Sequence, residues 1–235
     1  MKHAYSLALT GARDMIPLLV AAAPFGTVYG ALAISQGMSE WLVMAMSLFV
    51  FAGASQFIAV TLLASSALFP VIVTTVFVVN LRHMLYSASL MPYLENVPQW
   101  LRAPMAFWLT DESYAVVSRY LLSKPKTADF IAYYLGSSLA MYINWAFFSW
   151  LGMTLGQTIP NIENWGLEVA MIVAFVGIVV PAMKTHADWA CASTAVISAL
   201  LTYDWPHQTG LLFSSVVAIT VALIVSRKQK SNIDE

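Results

Sequence analysis

Four residues of this chain stand where apolar sequence should exclude them. Arg82 and His83 follow Asn80-Leu81 inside one hydrophobic run, and Asp111 and Glu112 lie inside another, in Thr110-Asp111-Glu112-Ser113. At a bilayer centre an Arg or an acid costs at least about 2.5–3.5 kcal/mol, so such side chains face a bundle interior or a wet cavity. A guanidinium and a carboxylate can neutralise one another, but one Arg cannot neutralise two acids. The second acid is then free to exchange protons, and His83 adds a group that titrates near neutrality. The chemistry this suggests is a proton relay beside a fixed ion pair. The plainer reading is a pair that only ties two helices together, with a small net effect on stability.

Helices must bring these groups to one depth. Arg82 is eleven residues before Tyr93, about 16 Å at 1.5 Å per residue, and Asp111 and Glu112 are nine and ten residues past Arg102, about 14–15 Å. Across an antiparallel hairpin closed near Tyr93–Arg102 they meet level, so Arg82 is expected to pair with Asp111 or Glu112. Adjacent helical residues point about 100° apart, so only one acid can take that place.

Backbone breaks supply a second kind of chemistry. Pro24-Phe25-Gly26 with Gly30 interrupts the first apolar run, and Gly53-Ala54-Ser55-Gln56 the second. A half-helix amino end attracts a carboxylate and freed carbonyls attract an ammonium, so a zwitterion fits such a break. Candidate substrate contacts are therefore Pro24, Phe25, Gly26, Gly53, Ser55 and Gln56. Tight helix packing is the alternative use of these glycines, and for Gly53 alone the better one. Gly177 and Pro181 interrupt the second half in a comparable way.

Composition sets the class. Of 235 residues 60% are hydrophobic and only 10% charged, against about 25% charged in a soluble domain. The expectation is an all-α, polytopic inner-membrane helical bundle, a single transmembrane transporter domain over 1–235 of about eight segments with broken helices. The segments are Met15–Ser35, Trp41–Ala64, Ala67–Pro92, Ala103–Leu122, Phe130–Gly156, Leu167–Met183, Asp188–Tyr203 and Gln208–Ser226. Six or seven crossings are the alternatives, since the sixth and seventh segments are short. With eight, nine of the eleven Lys and Arg fall on one side and only Arg102 on the other, which places both termini in the cytoplasm. Cleavage after Ala21-Ala22-Ala23 is not expected, because the apolar run continues beyond it.

Other features read as background. Trp41, Trp100, Trp165, Trp205 and Tyr203 suit an interfacial belt. His186 and Asp188 are too few for a metal site and suit a solvated turn. Cys191 is the only cysteine, so no intrachain disulfide forms. A net charge of −1 offers no face for nucleic acid. No P-loop occurs, so energy is expected from a gradient or a partner, and no cofactor is implied.

The runs Pro24-Phe25-Gly26-Thr27-Val28-Tyr29-Gly30, Phe51-Ala52-Gly53-Ala54-Ser55-Gln56-Phe57, Asn80-Leu81-Arg82-His83-Met84-Leu85-Tyr86 and Thr110-Asp111-Glu112-Ser113-Tyr114 occur in that order. Together they resemble the AzlC family, large subunits of bacterial branched-chain amino-acid exporters. The resemblance implies a multi-pass protein of the bacterial inner membrane that exports valine, leucine and isoleucine, often also methionine. It implies coupling to protons and a small AzlD-type membrane subunit as partner. Pro24, Gly26, Gly53, Ser55, Gln56, Asn80, Arg82, His83, Asp111 and Glu112 carry over without departure. Two other classes are weighed: a membrane scaffold that transports nothing, and an intramembrane hydrolase using Ser55 with His83. No catalytic residue is expected on the leading reading.

Overall fold

The computed structural model describes residues 2–95, 97–123, 130–158, 176, 180, 183–205 and 209–234. Among them every regular element is a helix, as the composition requires. The expected sixth segment, with Gly177 and Pro181, falls almost wholly outside the described residues, as do Lys124, Lys126, Trp165 and His207. The chain divides into two compact units, Met1–Ala64 with Val79–Met171, and Ser65–Val78 with Ile172–Glu235.

The first unit is built on two long helices, α1 (Lys2–Ser35) and α8 (Phe130–Thr158). They run parallel: the contact points advance together, from Gly11 beside Tyr133 to Gly26 beside Phe148 and Gly156 beside Ala31. The glycines permit the approach. A Cβ on Gly30 would overlap the Ser149 carbonyl oxygen, and one on Gly152 the Thr27 carbonyl oxygen. Gly26 and Gly30, and Gly152 and Gly156, are four-residue pairs that let helix backbones touch inside a membrane. The break expected at Pro24-Phe25-Gly26 is absent: α1 passes unbroken through Pro17 and Pro24. Proline withdraws a donor, but neighbouring helices can supply side chains to the weakened turn. Here Asn144 of α8 donates to the Leu19 carbonyl at 3.2 Å, and Thr27 to the Ala23 carbonyl at 3.0 Å. The helix ends at Gly37 (φ +79°), where Met38 and Gly37 donate back to Ala33 and Ile34 in a Schellman turn.

Between α1 and α8, each expected span is interrupted in the structure. The second is α2 (Glu40–Ala45), a π turn at Met46–Val50, then α3 (Gly53–Ala64), with Phe51 left-handed at φ 44°. The third is α4 (Phe69–Asn80) and α5 (Arg82–Leu94), parted at Leu81. The fourth is α6 (Gln99–Phe107) and α7 (Asp111–Ser123), parted at Trp108–Thr110.

Each break frees backbone carbonyls, which lipid cannot satisfy. A side chain meets one in every case. Tyr142 donates to the Leu48 carbonyl at 2.9 Å, the His83 ring nitrogen Nδ1 lies 3.1 Å from the Asn80 carbonyl, and Tyr134 donates to the Met105 carbonyl at 2.5 Å. Phe51 keeps its left-handed backbone, a cost of about 1–2 kcal/mol, under edge-on packing with Tyr142 at 4.9 Å. Its other aromatic neighbour is Phe107, at 6.3 Å and at the end of α6, so two of the breaks adjoin.

The second unit holds α9 (His186–Leu201) and α10 (Thr209–Asp234), which pack together. Thr185 caps α9 with Asp188 in a reciprocal capping box, so Asp188 serves a helix start. The pair closes through the Thr202 and Ser214 hydroxyls at 3.3 Å and the rings of Trp205 and Phe213 at 5.2 Å.

Candidate functional site

Three half-helices of the first unit begin close to one another: α3 at Gly53, α5 at Arg82 and α7 at Asp111. Contacts tie them pairwise. Ser55 of α3 donates to the Asn80 side-chain oxygen at 2.7 Å, next to the start of α5. Arg82 Nη1 and Asp111 Oδ2 form an ion pair at 2.5 Å, joining the starts of α5 and α7. Phe51 and Phe107 close the third side.

The pair forms at Asp111 and excludes Glu112, as the angular offset of neighbours on a helix requires. Both acids occupy the first turn of α7, where backbone N–H groups favour negative charge. Thr110 and Ser113 fix that turn: the Thr110 N–H donates to the Ser113 hydroxyl at 2.7 Å, and the Ser113 N–H to the Thr110 hydroxyl at 3.4 Å. The Ser113 hydroxyl also donates to the Trp108 carbonyl at 3.1 Å, meeting another group freed by the break. The ion pair is half-buried, with 30% of the Arg82 side chain and 36% of the Asp111 side chain exposed.

Tyr86 completes the cluster, and the sequence does not single it out. Its hydroxyl donates to Asp111 Oδ1 at 2.6 Å, so both carboxylate oxygens are engaged. Tyr86 is one helical turn past Arg82, the spacing that puts two side chains on one face. Its ring stacks on Tyr114 at 4.5 Å and 14°, and the Tyr114 hydroxyl donates to Ser89 at 2.9 Å. The 82, 86, 89 spacing on α5 and the 111, 114 spacing on α7 are the signal that would have found these partners.

The remaining candidates separate into two groups. Ser55, Asn80, Arg82, His83 and Asp111 stand together, with Glu112 adjoining. Ser55 and His83 each lean on Asn80, through its side chain and its carbonyl respectively, and not on each other. Gln56 belongs to a closed buried network instead: its carbonyl accepts from Trp145 at 3.1 Å and its amide donates to Ser47 at 3.2 Å. Gly53 lies against the Trp145 ring. Tyr29 stacks on the same Trp145 at 6.1 Å and donates to the Val43 carbonyl at 3.1 Å. Gly26 serves the α1–α8 seam, Phe25 is buried, and Pro24 is exposed inside the unbroken α1.

The family described as AzlC protein matches residues 17–159, which include every member of this cluster. The chain belongs to the AzlC family. A membrane protein of Helicobacter pylori is 28% identical over 91% of this chain and 92% of its own length. The inner membrane protein YgaZ of Escherichia coli K12 is 24% identical over 92% of this chain and 86% of its own. A membrane protein of Archaeoglobus fulgidus is 35% identical over 61% of this chain and 60% of its own. No solved structure matches. With its AzlC relatives and its composition, the chain is a membrane protein. Phe69–Leu94, which carries Arg82, is long and apolar enough to cross a membrane.

Proposed function

We propose that this protein is a proton-coupled secondary exporter of branched-chain amino acids, carrying valine, leucine and isoleucine, with methionine as a further substrate. It works in the bacterial inner membrane as an eight-crossing chain with both termini cytoplasmic, together with a small AzlD-type subunit. The observation that carries the reading is the Arg82–Asp111 pair with Glu112 beside it, at the meeting of three half-helix starts.

Asp111 is held by Arg82 and Tyr86, and a second carboxylate, Glu112, stands next to it with no ion pair among the described residues. A substrate carboxylate entering this region adds another negative charge around one guanidinium. Proton uptake by one of the acids offsets it, which links solute and proton. Interrupted helices suit alternating access, since half-helices can tilt about a break without losing their own hydrogen bonds. The parallel course of α1 and α8 fits three crossings between them.

A branched aliphatic tail would meet a mainly apolar wall. One methylene is worth only about 1–3 kcal/mol in such a pocket, so specificity within the branched-chain group is expected to be broad. The test is counterflow of labelled valine in vesicles holding this chain and its small partner. Exchange that responds to an imposed pH gradient is the expected result, and absence of valine flux at every gradient would falsify the reading.

A further inference from the structure

We infer that the Nε–Nη2 edge of Arg82 seats the carboxylate of the transported solute, with Asp111 and Tyr86 acting as positioning residues that aim it. The inference rests on the export reading above and names the atoms that would hold the substrate's head. Arginine offers two forks: the Nη1–Nη2 end, and the side edge formed by Nε and Nη2. Asp111 takes Nη1. On the side edge, Nε is buried with no hydrogen-bond partner.

A buried donor without a partner is costly, and charged donors are the costliest. A donor left so beside a paired charge is therefore a place where something else is meant to bind. Its geometry is selective, because two parallel N–H groups match the two oxygens of a carboxylate. Asp111 fixes the guanidinium from one end, and Asp111 is itself fixed by the Tyr86 hydroxyl. The plane of the free edge is thus set before a solute arrives. The Arg82 side chain as a whole is 30% exposed. Nε itself is covered in this state, so occupation requires the cover to shift by the width of one N–H group.

The seat predicts which part of an amino acid is indispensable. Isovalerate keeps the carboxylate and the branched tail but loses the ammonium. Valinamide keeps the ammonium and the tail but loses the anionic head. Equilibrium binding of labelled valine to the purified full chain, with both as competitors, separates them. Isovalerate should displace valine, and valinamide should be at least about tenfold weaker than valine. Arg82→Lys keeps a charge for Asp111 but has no fork, and should weaken valine binding at least about tenfold with the thermal melt retained. Rescue of binding by no other cation at position 82 is expected.

Valinamide competing as well as valine overturns the seat, and so does wild-type affinity in Arg82→Lys. If that variant does not fold, the competition on the unaltered chain decides alone. Binding with the expected preference but no exchange across vesicles leaves the seat standing and removes the transport reading. Exchange without the preference does the reverse. A chain that binds no valine ends both.

Discussion

Asp111 is the most constrained ionisable side chain in the cluster, and its constraints can be separated by substitution. Tyr86→Phe removes one hydrogen bond to a charged acceptor and leaves the ring stack on Tyr114 intact. The expected loss is about 1–2 kcal/mol, read as a lower thermal midpoint in detergent. Asp111→Asn and Arg82→Gln each strand a half-buried charge. The double variant strands none, and should recover part of the stability of either single change, with a coupling of about 0.5–3 kcal/mol across the four melts. Valine exchange should stay lost in all three. Exchange by the double variant would mean that the pair only ties helices together. The pairing was legible in the sequence because charges in apolar runs have few places to go, and counting residues back from the hairpin gave their depth. The choice of Asp111 over Glu112 was not legible, since it depends on the rotation of α7, which the turn at Thr110–Ser113 sets. Tyr86 was also missed, because a tyrosine in an apolar run has no feature of its own until its partner's position is known.

At the scale of elements the governing fact is that an interrupted helix must find partners for its freed carbonyls. Tyr142, His83 and Tyr134 supply them from outside the broken turn or from its far side. Tyr142→Phe and Tyr134→Phe keep each ring and remove its donor, leaving one buried carbonyl unpaired. Each should cost about 1–3 kcal/mol in thermal unfolding. The two serve different helices, so their effects should add. A strongly non-additive pair would mean that the breaks at Phe51 and at Trp108–Thr110 open as one. Glycine and proline were uneven guides to these breaks. Gly53 does mark the start of α3, but Trp108-Leu109-Thr110 contains neither residue, and the interruption there is written in the later serine that caps α7. Pro24 and Gly26 looked like a break, but α1 runs on through both: Pro24 is exposed and Gly26 is part of a seam with the α8 backbone. Gly30→Val tests the seam. Its Cβ would overlap the Ser149 carbonyl oxygen and lie 2.6 Å from the Met153 nitrogen, and neither backbone atom can turn aside. The expected result is a chain that fails to yield a monodisperse peak in detergent, whereas a wild-type melt would show that α1 and α8 do not need this contact.

Across the whole molecule the open quantity is the number of crossings, and the sequence and the helices constrain it from different directions. Charge placement asks for an even number, because basic residues gather at Lys2 and Arg13 and again at Arg227, Lys228 and Lys230. The parallel pair α1 and α8 asks for an odd number of crossings between them, and the three expected apolar segments would provide it. The exposed rings of Trp41, Trp100 and Tyr203 lie near helix ends, where an interfacial belt belongs. These features lead to a labelling pattern. Cys191 is the only thiol, so a Cys191→Ser background is blank to maleimides. Single cysteines placed at Glu40, Glu95 and Asp204 should react with a membrane-impermeant maleimide added outside intact cells. Those at Lys124 and Lys228 should react only after permeabilisation. Reaction at Lys228 from outside would give an odd number of crossings. Protection at Asp204 with reaction at Glu95 would mean that α9 and α10 do not both cross. Protection at Glu95 would instead turn the Arg82 hairpin over, because the direction in which α5 and α7 leave the membrane centre decides which side a proton on Glu112 can reach.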